Sequence, residues 1–322
     1  MTSDADSPYA AEEYDVAIIG GGPAGLTAAV WLARYLRSVV LVDSGDPRNW
    51  ETRGVNGYLG LPQIRPVELR ALGRQECRCY AVTLVDSIAT GARKLGDEEF
   101  VIELHSREEL RARRLLLAIG IRDVWPDIPG LAHAFGASAH VCPDCDGYEA
   151  RGKKIVVIGS GRKAVGMALN LTTWSRDIII CTNGEPQALD LPEYCEKLDA
   201  LNIPVLTEPI LSITCAPGNA IHSLELRDGM HLDADKIFLA MGQFPADDAG
   251  TKLSRQLGCA HDDEGHVVVD EYYQSSVANV FAAGDIVPGP QLAIAAASDG
   301  AIAALAIHKS LVPAVQKLQP LR

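Results

Sequence analysis

Two cysteines stand three positions apart in Cys142-Pro143-Asp144-Cys145, and Asp146 follows at once. Thiols at this spacing can close a small ring, and such a motif usually makes the first-formed thiolate acidic, so the pair suits reversible disulfide exchange. Metal binding is the competing chemistry, and a pair of purely structural cysteines is the remaining alternative. A structural zinc takes four ligands, however, and no second CxxC or HxxxH partner occurs in the chain, so no metal is expected. His133 and His140 are the nearby histidines. His140, two residues before Cys142, is read as a neutral ring satisfied by backbone rather than as a catalytic group. Cys77, Cys79, Cys181, Cys195, Cys215 and Cys259 show no spacing that suggests chemistry and should be free thiols in a reducing compartment.

Two glycine-rich turns flank the dithiol. The first follows an apolar run, Asp15 to Ile19, as Gly20-Gly21-Gly22-Pro23-Ala24-Gly25, and leads into a helix over Leu26 to Leu36 and a strand over Val39 to Asp43. Strand, glycine turn, helix and strand make a dinucleotide-binding unit. Gly20 permits the tight turn, Gly22 admits a pyrophosphate to the backbone, and Gly25 lets the helix pack closely. The helix N-terminus then faces the phosphates, and Asp43 stands where a carboxylate accepts hydrogen bonds from an adenosine ribose.

The second turn, Gly159-Ser160-Gly161-Arg162-Lys163-Ala164, follows a strand over Lys154 to Ile158 and opens a helix to about Trp174. The next strand, Ile178 to Cys181, runs into Thr182-Asn183-Gly184-Glu185 with no arginine for a 2'-phosphate and no acid on the strand end itself. Glu185 is the nearest carboxylate. Leu115 to Gly120 and Ile237 to Gly242 read as paired crossovers between domains, and Val280 to Asp285 places an acid between a buried strand and the alanine-rich helix from Gln291.

A chain of 322 residues is long enough for two domains with separate cores, and 48% hydrophobic residues fit a globular enzyme. The net charge of −13 argues against nucleic acid and anionic membranes as partners. The cluster of Arg107, Arg111, Arg113 and Arg114 alternates with Glu108 and Glu109 and reads as a solvated face. Residues 1 to 13 read as a short disordered tail without the features of a secretory signal, and the longest apolar stretch, Gln291 to Ile307, carries Ser298 and Asp299 and suits a buried helix. A cytoplasmic protein is expected. Trp31, Trp50, Trp125 and Trp174 are expected to be packing residues.

GGGPAG, CPDCD, GSGRKA and FAAGD, in this order from Tyr14 to about Ser310, resemble the thioredoxin reductase family of low-molecular-weight flavoproteins. The resemblance implies an α/β fold with two Rossmann-like nucleotide-binding domains. An FAD domain over 14–120 and 243–322 would be interrupted by a pyridine-nucleotide-like domain, 121–242, that carries the dithiol. It implies FAD held by Gly20, Gly22, Pro23, Ala24, Gly25 and Asp43. Gly284 and Asp285 would meet the ribityl chain, Gln291, Leu292 and Ala293 the isoalloxazine, and Asn56, in a glycine-rich loop with Tyr58, would line the flavin. Cys142 and Cys145 become the redox pair, Cys145 the one nearer the flavin, and Asp146 the general acid, although Asp-Gly is also a common turn pair. NADPH or NADH would enter at Gly159, Gly161, Arg162, Lys163 and Ala164, a thioredoxin-like protein or small disulfide would be the partner, and the chain would form a homodimer.

Three departures from that family stand out: no basic cluster after Cys181, Arg162-Lys163 at the second turn, and Gly166-Met167 in place of an acidic pair. They leave the electron donor open. Relatives with such changes include dithiol oxidases that pass electrons from a substrate dithiol to oxygen, which share the Gly147-Tyr148-Glu149 continuation, and reductases fed by ferredoxin. A non-enzymatic redox sensor is the reading from outside enzymology.

Overall fold

The structure is a computed structural model that describes residues 13–49, 52–185, 191–246 and 252–318. The chain divides into two compact units, one made of Met1–Trp50, Pro66–Arg122 and Phe244–Arg322, the other of Glu51–Arg65 and Asp123–Gln243. The expected tail and Trp50 lie outside the described residues, except that Glu13 opens the first strand, opposite Arg111.

The first unit begins with β1 (Glu13–Ile19), α1 (Pro23–Arg34) and β2 (Val39–Asp43). It continues with α2 (Pro66–Cys79), β3 (Thr83–Asp86), β4 (Ala89–Gly96), β5 (Glu99–Leu104) and β6 (Glu109–Leu117). β7 (Ile121–Asp123) carries the chain onward. The sheet order is β3-β2-β1-β6-β5-β4. β2 is buried at every position, as expected of a parallel strand covered on both faces, and its apolar run Val39 to Val42 reflects that.

One expectation about β6 fails. Period-two alternation sends neighbouring Arg113 and Arg114 to opposite faces, and Arg114 points inward at 2% exposure. Its guanidinium is satisfied by Glu98 at 2.8 Å, by Ser310 Oγ at 2.9 Å and by the Arg113 carbonyl at 2.9 Å. The cluster is therefore not one solvated face. Hydrogen bonds from Arg113 and Arg114 hold the Glu98 carboxyl down at about 2.

In the second unit the chain forms α3 (Leu131–Ala134), β8 (Ala139–His140) and α4 (Pro143–Asp146). A second strand-turn-helix-strand unit follows as β9 (Ile155–Gly159), α5 (Gly161–Leu171) and β10 (Ile178–Cys181). Next come α6 (Pro192–Ala200), β11 (Val205–Leu206), β12 (Ile210–Ala216), β13 (Ala220–Leu226), β14 (His231–Asp233) and β15 (Lys236–Ala240). β11-β10-β9-β15-β8 is a parallel sheet, and β12-β13-β14 is an antiparallel one. Both glycine turns thus sit on Rossmann-like parallel sheets. β16 (Gln243–Pro245) pairs with β7, so the two crossings of the chain run side by side.

The first unit closes with α7 (Leu253–Gln256), β17 (Val280–Ala282) beside β6, and α8 (Ala293–Leu311). α8 lies against α1 across small residues. A side chain at Gly300 would stand 2.1 Å from the Ala24 carbonyl, so only glycine permits that approach. Among the described residues no helix is long and apolar enough to cross a membrane. Trp125 packs on Phe135 at 4.2 Å between ring centres, Trp174 joins the core around α5, and Trp31 lies 40% exposed beside Tyr35.

Candidate functional site

Cys142 and Cys145 are joined in a disulfide, their Cα atoms 5.3 Å apart. The buried strand β8 delivers the chain to Cys142, which caps α4, and Pro143 takes the first helical position, where its fixed φ suits a helix start. Positions three apart lie on one face of a helical turn, which brings the two sulfurs together. The Cys145 N–H donates to Cys142 Sγ at 3.1 Å, and the Asp146 N–H donates to the Cys142 carbonyl at 3.1 Å. Immediately after, the Trp174 indole closes on Gly147, where a Cβ would come within 2.5 Å of the ring.

Asp146 is largely buried and turns its carboxylate toward His140, with Oδ2 3.4 Å from Nδ1. The other ring nitrogen, Nε2, lies 3.1 Å from Lys236 Nζ, and that ammonium also donates to the Ala137 carbonyl at 3.0 Å. The sequence reading of His140 is corrected here. Its ring is 7% exposed and its partners are side chains, because parallel pairing sets His140 beside Phe238 and so brings Lys236, two residues earlier on β15, within reach. Burial pushes the Lys236 ammonium below its usual range, opposed by the charges of Asp146 and Glu149 and reinforced by Arg53 and Lys153. Asn56 falls in the second unit and donates to the Cys145 carbonyl at 3.1 Å and to Glu149 at 3.4 Å. Tyr148 is 61% exposed, with the Arg151 guanidinium 3.5 Å from its ring centre.

At the first glycine turn, Gly20 has φ +113°, and a Cβ there would meet the Ala118 carbonyl at 2.2 Å. At Gly25 a Cβ would lie 1.9 Å from the Gly20 carbonyl, whereas at Gly22 it would enter open space. Pro23 and Ala24 begin α1, whose first turn has no acid and no capping side chain, so its N–H groups are left to an anion. Asp43 is buried and bound by Arg70 and, at 3.2 Å, by Arg74, while the Gly45 N–H donates to its other oxygen at 3.1 Å. A cavity of about 490 Å³ opens there, lined by Asp43, Ser44, Gly45, Arg70, Ser87 and His105 among others, a size that suits an adenosine. Gly284 packs against Ala24, and Asp285 and Gln291 both receive Arg48 Nη1, at 3.1 and 3.2 Å. Leu292 and Ala293 form the cap and first residue of α8. These residues fit FAD.

The second turn is differently furnished. Ser160 caps α5 without bonding its backbone and instead donates its hydroxyl to Glu185 Oε2 at 2.8 Å. Gly159 and Gly161 take positive φ, Arg162 and Lys163 are exposed on the first turn of α5, and Ala164 is buried beneath them. Thus the loop after β10 brings a carboxylate, not a guanidinium, to the glycine turn. Thr182 Oγ1 at that strand end is buried without a hydrogen-bond partner. Among the described residues no group of three or more His, Cys, Asp or Glu side chains is gathered to hold a metal.

Sequence reasoning missed Arg48, Arg70, Arg74, Lys236 and the Gly147–Trp174 contact. The i, i+4 spacing of Arg70 and Arg74 on α2 was a readable signal for two cations on one face. The other partners are remote in sequence.

Residues 14–300 match the pyridine nucleotide-disulphide oxidoreductase model. The chain is 33% identical over 281 residues to thioredoxin reductase tcpT of Claviceps purpurea, covering 84% of this chain and 86% of that protein. It is 25% identical to the thioredoxin reductase of Bacillus subtilis over 96% of this chain and 98% of that one. Among solved structures, HlmI superimposes with a TM-score of 0.86 at 30% identity, covering 93% of this chain and 92% of that one. The putative thioredoxin reductase TrxB of Bacillus anthracis gives 0.84 at 30% identity, covering 92% and 98%.

Proposed function

The chain belongs to the pyridine nucleotide-disulphide oxidoreductase family as a thioredoxin-reductase-like, FAD-dependent disulfide oxidoreductase, and on that premise we propose how its residues divide the work. Two electrons pass between FAD and the Cys142–Cys145 pair and on to the disulfide of a thioredoxin-like protein or a small molecule. The observation that carries this reading is the disulfide seated at the start of α4 with Asp146 the next residue of the same short helix.

FAD, when bound, supplies or accepts the electron pair. Gly20, Gly22, Gly25 and the N–H groups of α1 receive its pyrophosphate, Asp43 its ribose, and Asp285 with Gln291 its inner end. The Cys145 N–H donates to Cys142 Sγ, so negative charge is better tolerated on Cys142. Cys142 then attacks the outside disulfide, and Cys145 is the sulfur that would exchange electrons with the flavin when it is bound. Asp146 supplies a proton to the departing thiolate and takes it back in the reverse direction. Asn56, through the Cys145 carbonyl, fixes the turn. A second copy of the chain completes a homodimer, and the cytoplasm is the compartment that suits six cysteines left outside the disulfide.

Glu185 at the second turn repels a 2'-phosphate and can accept hydrogen bonds from a ribose, so a nicotinamide donor entering there is NADH rather than NADPH. The same carboxylate supports a second reading, a dithiol oxidase that passes electrons to oxygen and needs no nicotinamide. Anaerobic titration of the yellow protein separates them. Bleaching of the flavin by NADH, with turnover of a protein disulfide that is lost in Cys142→Ser, supports the reductase. Bleaching by dithionite and by a small dithiol, but by neither nucleotide at millimolar concentration, refutes it in favour of the oxidase.

A further inference from the structure

We propose that Lys236 and His140 form a proton relay to Asp146, resting on the reading of Asp146 as the acid that serves the dithiol. The three side chains make one line: Lys236 Nζ lies 3.1 Å from His140 Nε2, and His140 Nδ1 lies 3.4 Å from Asp146 Oδ2. The groups facing the imidazole are the Asp146 carboxylate from α4, the Lys236 ammonium from β15 and the Phe238 ring, 5.6 Å away between centres. Farther charges, those of Glu149, Arg53 and Lys153, act on Lys236.

An ammonium has three protons and no lone pair, so Lys236 must donate to Nε2, which leaves the ring proton on Nδ1, the nitrogen 3.4 Å from Asp146 Oδ2. With its Nε2 lone pair taken up by the ammonium, the ring offers no site for a second proton. What it can do is pass one on. Lys236 gives a proton to Nε2 as Nδ1 gives one to Asp146, leaving a neutral amine, a neutral imidazole with its proton on Nε2, and a carboxylic acid. The charge of the trio is unchanged. Burial, the largest influence on Lys236, favours the amine and so makes this shift accessible.

The balance with the disulfide is direct. FAD, when bound and reduced, would supply the two electrons that open the S–S bond to two thiolates, one of which takes the Asp146 proton. The half-buried Lys236 then recovers a proton from water, and the imidazole ring turns over to bring its proton back to the Asp146 side, which readies the trio to recharge Asp146. Dithiol oxidation runs the same transfers backwards. His140 is therefore a positioning residue that acts through Asp146, and its worth grows where free protons are scarce.

A phosphine reductant tests this without any partner, donor or turnover. Phosphorus attacks one sulfur, the S–S bond breaks, and the leaving thiolate must be protonated in place. We measure opening of Cys142–Cys145 in the FAD-loaded protein between pH 5.5 and 8.5, and the ring nitrogens of His140 by ¹⁵N NMR. For His140→Gln and Lys236→Met the rate relative to wild type should be near one at pH 5.5 and about a tenth at pH 8.5, a modest share of what general acids contribute. Lys236→Arg should rescue little, because a guanidinium does not give up its proton. In the wild-type protein Nε2 should be the unprotonated nitrogen. A ratio independent of pH, or a ring proton on Nε2 at neutral pH, overturns the relay. Where His140→Gln fails to fold, Lys236→Met and the wild-type spectrum decide. A relay upheld in a protein that turns over no disulfide would refute the functional reading alone.

Discussion

Gly147 should be irreplaceable for reasons of space. Its φ of −65° is ordinary helix, so no backbone freedom is at stake. A Cβ would nevertheless stand 2.5 Å from the Pro143 carbonyl and 2.5 Å from Cε3 of Trp174, where ordinary contact is 3.4–4 Å. Gly147→Ala thus demands a displacement of about 1 Å, and Trp174 cannot yield it freely because its ring packs on the core around α5. Overpacking of this kind costs about 1–3 kcal/mol, which lowers the melting temperature by roughly 4 °C per kcal/mol in a unit of this size. The displaced residue ends the turn that carries the disulfide, and a misplacement of about 1 Å in a reacting group costs up to about 10²-fold in rate. Differential scanning calorimetry of the FAD-loaded protein and stopped-flow reduction of the disulfide give the two numbers. The cause is isolated by a cycle: on a Trp174→Leu background, Gly147→Ala should cost less than it does alone. A Gly147→Ala protein that melts within a degree of wild type and is reduced at the wild-type rate would refute the reasoning.

Removing the charge at the second turn with Glu185→Gln should narrow any preference for NADH over NADPH about tenfold, roughly 1.4 kcal/mol, read as the ratio of kcat/KM values. Glu98 contributes stability that is fully present above its unfolded value of 4.5 and is lost as pH falls toward about 2, so acid denaturation should flatten in Arg114→Met. That variant should also melt lower at pH 7, since it removes one partner each from Ser310 and Glu98. Cys77, pushed up to about 11, and Cys181, pushed up to about 12, both by burial, should resist iodoacetamide at pH 8 while exposed Cys79 and Cys195 react, as mass spectrometry of the alkylated protein would show.

What the sequence made legible was local. Val39–Asp43 and Ile178–Cys181 have the bounds expected of them, because uninterrupted apolar runs rich in Val and Ile between polar residues leave a parallel strand little choice. The dithiol was legible for the same reason, since both sulfurs belong to one helical turn. His140 was misread because its partner Lys236 is 96 positions away and arrives only when β15 pairs with β8. Arg114 was misread because a run of like charges hides strand alternation: only the sheet decides which of Arg113 and Arg114 faces the core. Glu185 reads in the sequence only as the carboxylate nearest the second turn, and its partner Ser160 lies 25 positions away.

The two glycine turns also separate two questions that the motifs alone leave joined. Asp43 is buried and locked by Arg70, Arg74 and the Gly45 N–H, so its carboxylate is positioned before any ligand arrives. Glu185 is exposed and held by a single hydroxyl, which a bound ribose can displace at the cost of about one hydrogen bond. Preorganisation of that first kind favours a resident cofactor, and a lightly held carboxylate favours a ligand that comes and goes. The dithiol, its acid and Lys236 share the second unit and its parallel sheet with the second turn, but Lys236 opens β15 opposite Ile155 while the turn begins at Gly159, opposite Ala240 at the far end of that strand, so their proton chemistry does not depend on which molecule occupies the turn. Changes at Glu185 should therefore alter the source of electrons and leave the pH dependence of disulfide opening where it was.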